Sequence, residues 1–141
     1  MTQENKKLLL KDLCSRLPYG VKVKFGDNPN IFDLEYRIKF AVMYGDSDKL
    51  EDILDITNIK PYLFPLSSMT EEQKEECFNG TPLEIDKYGG IAVKDDLYGG
   101  SLYTDLEIYL EVIDWLLKNH FDIYGLIPKG LANDATDLNV Y

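Results

Sequence analysis

The chain has 141 residues, 45% of them hydrophobic, with ten Tyr, six Phe and one Trp, enough to bury one core, and a single domain over residues 1–141 is expected. Its net charge of −10 is unevenly placed: residues 1–70 hold ten Lys and Arg against ten Asp and Glu, whereas residues 71–141 hold five against fifteen. Such an excess of carboxylates argues against direct binding of nucleic acid, and no apolar stretch approaches the length of a membrane span.

The opening stretch MTQENKKLLLKDLCSRL contains only a three-leucine run between charges, too short for a signal peptide, so a cytoplasmic location is expected. Leu9, Leu10, Leu13, Cys14 and Leu17 recur at helical spacing, which predicts an amphipathic helix over about Glu4 to Arg16, stopped by Pro18 and Gly20. Cys14 falls on that apolar face and is expected to be a buried, reduced thiol. Cys77 lies 63 positions away, with no second Cys or His near either thiol to make a ligand cluster.

VKVKF then alternates with period two, and after the turn GDNPN the alternation resumes from Asp33 to Tyr44, which predicts two strands. KLEDILDI, residues 49–56, suits a third antiparallel strand after the turn YGDSD, although Leu50, Ile53 and Leu54 also fit a helix. In YGDSDKLED, Asp46 and Asp48 stand where a calcium loop would begin, but Leu50 replaces the third ligand and Glu51 the glycine. Pro61 and Pro65 make KPYLFPL a rigid connector and argue against a long helix or a central strand.

Thr70 followed by Gln73 is a capping-box pattern, and Glu71 and Glu72 oppose the positive end of the helix dipole, so a helix should run to about Phe78 and close at Asn79 and Gly80. Ser67 and Ser68 are accompanied by no histidine or other base and need no catalytic role. Residues 80–101 lose clear periodicity. Their Tyr-Gly-Gly echoes at 88–90 and 98–100 fit turns better than a phosphate cradle, which requires a glycine-rich loop feeding a helix with a lysine in place.

The strongest helical pattern covers Thr104 to about Asn119, with Thr104 and Glu107 as a second capping box. It is apolar around most of its girth and leaves one polar stripe of Glu107, Glu111, Asp114 and Lys118. The stripe reads most simply as a solvated face, since carboxylate metal sites in bundles come with histidines and a second helix of the same kind. His120, the sole histidine, stands in KNHFD at the helix end, where a protonated ring would favour the dipole. Capping or packing suits it better than catalysis.

The segments IKPYLFPLSSMTEEQ, EVIDWLLKNHFD and YGLIPKGLA resemble shared segments of a family of uncharacterised small proteins from gut bacteria, their phages and other mobile elements. The resemblance covers roughly a quarter of the chain and implies a phage or mobile-element setting. It implies no residue roles.

Together these readings predict an α+β fold. A small antiparallel sheet of three or four strands, from about Val21 to Ile56, is expected to pack against the N-terminal and C-terminal helices. The expected core is Leu13, Leu17, Val23, Tyr36, Ile38, Phe40, Val42, Leu110, Ile113, Trp115 and Leu117. With no nucleophile, metal cluster or cofactor loop, the leading expectation is a non-enzymatic protein-interaction module that needs no cofactor and binds a host or phage protein. The alternatives are a small enzyme whose carboxylates and tyrosines converge only in the fold, and an acidic nucleic-acid mimic that inhibits a host protein. The candidate partner-binding residues are Glu107, Glu111 and Asp114, with no catalytic or metal-binding residue assigned.

Overall fold

Helix α1 (Gln3–Arg16) starts where the Thr2 hydroxyl accepts the Asn5 amide at 3.1 Å, a side-chain N-cap. The structure, a computed structural model, describes residues 1–36, 38, 56–81, 83–86, 90–93 and 106–141. The inward face of α1 is Leu9, Asp12, Leu13 and Arg16, while Cys14 is exposed, contrary to expectation. At 3.6 residues per turn this turns the buried face by roughly 80° from the one that leucine spacing predicts. The cause is the Asp12–Arg16 ion pair, which with the Phe121 carbonyl meets most of its hydrogen bonding inside the fold and so can occupy positions that apolar periodicity assigns to solvent.

Among the described residues four strands form a mixed sheet in the order β2-β1-β3-β6: β1 (Lys22–Phe25), β2 (Ile31–Asp33), β3 (Ile59–Leu63) and β6 (Asn133–Asp134). β1 pairs antiparallel with both β2 and β3, and β6 adds to β3 in parallel. A separate antiparallel pair, β4 (Leu83–Ile85) with β5 (Ile91–Val93), lies in the stretch without clear periodicity. The fold is therefore α+β as expected, with a parallel pairing of β3 and β6 that the sequence did not suggest.

β2 ends at Asp33, and residues 34–36 and 38 are helical, where alternation predicted a continuing strand. A strand would set Leu34, Tyr36 and Ile38 on one face. Instead Leu34 is buried, Ile38 packs against the same core, and Tyr36 is 62% exposed, the pattern of positions i, i+4 and i+2 on a helical turn. Phe40, Val42 and residues 49–55 of the expected third strand lie outside the described residues.

The prolines did not prevent a central strand. The Gly26 amide donates to the Asn58 carbonyl at 2.8 Å, and the register then pairs Lys24 with Lys60 and Val23 with Pro61. Hydrogen-bonded pairs alternate along an antiparallel ladder, so Pro61 falls at a position where β1 needs no donor. On its other side β6 pairs only with Tyr62 and Leu63. Register thus accommodates a residue that composition excludes.

The next hydrogen-bonded position, Lys22 opposite Tyr62, is closed by a side chain. The Lys22 amide donates to the Tyr141 hydroxyl at 2.9 Å, and that hydroxyl donates to the Tyr62 carbonyl at 2.8 Å. Beyond it the Phe64 amide donates to the His120 carbonyl and the Asp122 amide to the Phe64 carbonyl, both at 2.8 Å. One edge of β3 and its extension is therefore lined by β1, a tyrosine hydroxyl and residues 120–122. Replacing Tyr141 by Phe leaves an amide and a carbonyl without their bridge and is expected to cost about 1–3 kcal/mol in urea unfolding. An unchanged midpoint would show that water replaces the hydroxyl without loss.

Among the described residues, buried apolar side chains gather in two clusters. The first joins Leu9 and Leu13 of α1 to Val21, Val23, Ile59 and Leu63 of the sheet. The second gathers Cys77 and Phe78 of α2 (Glu71–Phe78), Leu83 of β4, and Val112 and Leu116 of α3 (Leu106–Lys118) around Phe121. Phe64, one residue past β3, meets Phe121 at a ring-centroid distance of 6.0 Å and carries the line of β3 into the second cluster.

Candidate functional site

α2 begins as its sequence predicts. The Thr70 hydroxyl accepts the Gln73 amide at 3.1 Å, and the Gln73 side chain accepts the Thr70 amide at 2.9 Å. The Ser68 hydroxyl donates to the Pro65 carbonyl at 2.7 Å, holding the short turn Leu66–Ser68 that leads into the helix. Burial pushes the Cys77 thiol up to about 12, with Glu76 adding to the effect, so it stays protonated and inert near neutrality.

On α3, Val112, Leu116 and Leu117 turn inward, and Glu107, Glu111 and Asp114 are exposed. Asp114 accepts a hydrogen bond from the Tyr19 hydroxyl at 2.8 Å, which raises that hydroxyl's pKa and ties the stripe to the turn after α1. Leu110, expected in the core, is instead 53% exposed, and Tyr109 is 41% exposed. At 3.6 residues per turn Leu110 lies roughly 160° around the helix from Val112, so both cannot face one core. Leu110 therefore shares a surface with the carboxylates, three residues from Glu107 and four from Asp114. Thr104, the expected cap, lies outside the described residues.

A second constellation surrounds the end of α3, and the sequence did not signal it. His120 leaves the helix with a φ of 66°, and its ring stacks on Tyr141 with centroids 3.6 Å apart and planes 10° from parallel. Phe64 meets Tyr141 at 5.9 Å, and Trp115 stacks on Phe121 at 5.9 Å. Burial lowers the His120 pKa to about 4, with Arg16 and Lys22 adding repulsion. The ring is thus neutral near pH 7, a packing role rather than the charged helix cap that its position suggested. Burial likewise pushes the Tyr141 hydroxyl up to about 12, keeping it a donor to the Tyr62 carbonyl.

Beneath this stack lies a buried charge network. Arg16, fully buried, donates from Nε and Nη2 to the two oxygens of Asp12 at 2.8 Å, and from Nη2 to the Phe121 carbonyl at 2.7 Å. Next to Phe121, the buried Asp122 accepts the amides of Leu126 and Ile127 at 2.8 and 2.9 Å, fixing the turn that carries Gly125 at a φ of 69°. The i, i+4 spacing of Asp12 and Arg16 is legible as a helix pair. That it is buried and grips a carbonyl 105 positions away is not.

His120, Tyr141, Phe64 and Phe121 line a cleft of about 420 Å³, together with Thr70 and Gln73 at the start of α2 and with Thr136 and Asp137. It does not include the three candidate partner-binding carboxylates of α3. Among the described residues no three His, Cys, Asp or Glu side chains gather as a metal site requires, and no helix is long and apolar enough to cross a membrane. Comparison of the chain with family models, curated proteins and solved structures finds no match.

Proposed function

We propose that the protein is a non-enzymatic interaction module of phage or mobile-element origin, whose outer α3 face docks on a basic surface of a host or phage protein. The observation that carries this reading is the exposed Leu110, with Tyr109 nearby, set among the carboxylates of Glu107, Glu111 and Asp114. A large apolar side chain kept at a charged surface contributes little to the fold, while apolar anchors inside a charged rim are the usual make-up of a protein interface. The charge of the second half, five Lys and Arg against fifteen Asp and Glu, favours a partner rich in Lys and Arg and speeds its approach.

Binding is to be measured against arrayed peptides and proteins bearing Lys- and Arg-rich amphipathic surfaces, with charge-neutral counterparts beside them. The variant Leu110→Ser/Glu111→Gln is expected to bind its basic partner at least about tenfold more weakly than wild type and with a shallower salt dependence. Asp114 is kept, because it holds Tyr19. A variant that stays folded and binds every partner as wild type does would leave α3 a solvated face. Competition by duplex DNA for the same partner would place α3 on that partner's nucleic-acid site, as a mimic does.

A further inference from the structure

The cleft at the end of α3 has a size within the range of small-ligand sites, and the fold uses only part of the hydrogen-bonding capacity of its lining. Its accessible rings are Tyr141, His120 and Phe64, held in place by the His120–Tyr141 stack at 3.6 Å and by Phe64 at 5.9 Å from Tyr141, with the buried Phe121 behind them. Its walls come from three segments distant in sequence and hold both donors and acceptors. Gln73 uses its amide oxygen on the Thr70 backbone and retains its N–H donors. Asn119 uses an N–H on the Trp115 carbonyl at 2.8 Å and retains its oxygen as an acceptor.

Lys118 and Asp137, also in the lining, offset one another in charge. His120 Nδ1 is sealed off without a partner. A sealed N–H lacking an acceptor costs more than a bare lone pair, so the proton belongs on Nε2, and the ring is an uncharged donor. Two lining residues, His120 and Asp137, hold φ values of 66° and 67°, a left-handed backbone that Asp, Asn and His adopt more readily than most residues other than glycine.

A ligand matched to such a lining has no net charge, one apolar face for the rings, and polar groups that both donate and accept. A phosphate would meet the Asp137 carboxylate and leave the donors and acceptors mismatched. A purely apolar ligand would strand the amides and charges without partners. Hydroxyl groups around a saturated ring meet all three requirements. We propose that this cleft is a saccharide-binding site, in which the C–H face of a sugar ring packs on the accessible rings while its hydroxyls bridge Gln73, Asn119 and Asp137. The site is separate from the α3 face and does not depend on it.

The test is an amide-resolved NMR titration of the full chain with glucose, galactose, N-acetylglucosamine and maltose, with adenosine, phenylalanine and inorganic phosphate as comparisons. The expected result is saturable shifts confined to residues around Asn119, His120 and Asp137 with at least one sugar and with none of the comparisons. Asp137→Asn, which preserves the shape of the side chain and tolerates the left-handed backbone, is expected to weaken sugar binding about tenfold at an unchanged melting temperature. Leu110→Ser is expected to leave it unchanged. No saturable shift with any sugar, stronger binding of a comparison compound, or full sugar affinity in Asp137→Asn would each overturn the assignment.

Discussion

Asp12→Ala is expected to destabilise the protein by about 3–5 kcal/mol, because it strands a guanidinium that has no access to water. Arg16 is 0% exposed, and its Nη1 already lacks a partner, so losing both Asp12 contacts would leave only the Phe121 carbonyl to hold the charge. The urea midpoint should fall by more than about 1 M. Burial raises the Asp12 carboxyl pKa, and this outweighs the hydrogen bonds and charge of Arg16 that act to lower it. The pair is thus costly to desolvate as well as costly to break. Replacing both residues at once, as Asp12→Leu/Arg16→Met, is therefore expected to cost less than Asp12→Ala alone. A single variant within about 1 kcal/mol of wild type would mean that water reaches the guanidinium after all.

Leu116→Ala is expected to cost about 2–5 kcal/mol through lost burial and the cavity it leaves. Leu116 is fully buried in the cluster that holds Val112, Phe78 and Phe121, where α3 meets α2. Trp115 stacks on Phe121, so its fluorescence reports unfolding of that same cluster. The instructive comparison is Leu110→Ser, six residues earlier on the same helix, expected to change stability by no more than about 0.5 kcal/mol. The two leucines are alike in the sequence and differ only in the face they occupy. Equal losses at both positions would contradict the exposure of Leu110 and, with it, the docking surface proposed for α3.

The sequence by itself determined the parts of the protein that close within a few residues. Thr70 and Gln73 cap each other across one turn, so α2 was legible from its start to Asn79. The period-two run VKVKF located β1, the periodic apolar run located α3, and the α+β class followed from their order. Gly20, expected with Pro18 to stop the first helix, holds a φ of 76° that most other residues avoid.

The tertiary structure decided whatever depends on a partner far along the chain. Apolar spacing misplaced the inward face of α1 because Arg16 is buried on Asp12 and on a carbonyl 105 residues away. Pro61 enters a central strand because the register against β1 places it where no donor is required. Tyr141 becomes part of the sheet through backbone groups 119 and 79 positions away, and nothing local to it marks that role. The cleft has the same origin: His120, Gln73 and Asp137 are unremarkable in their own segments and acquire a shared chemistry only when β3, α2 and α3 bring those segments together. Local propensity fixes a residue's backbone, but burial and hydrogen-bond partners are properties of the packed whole.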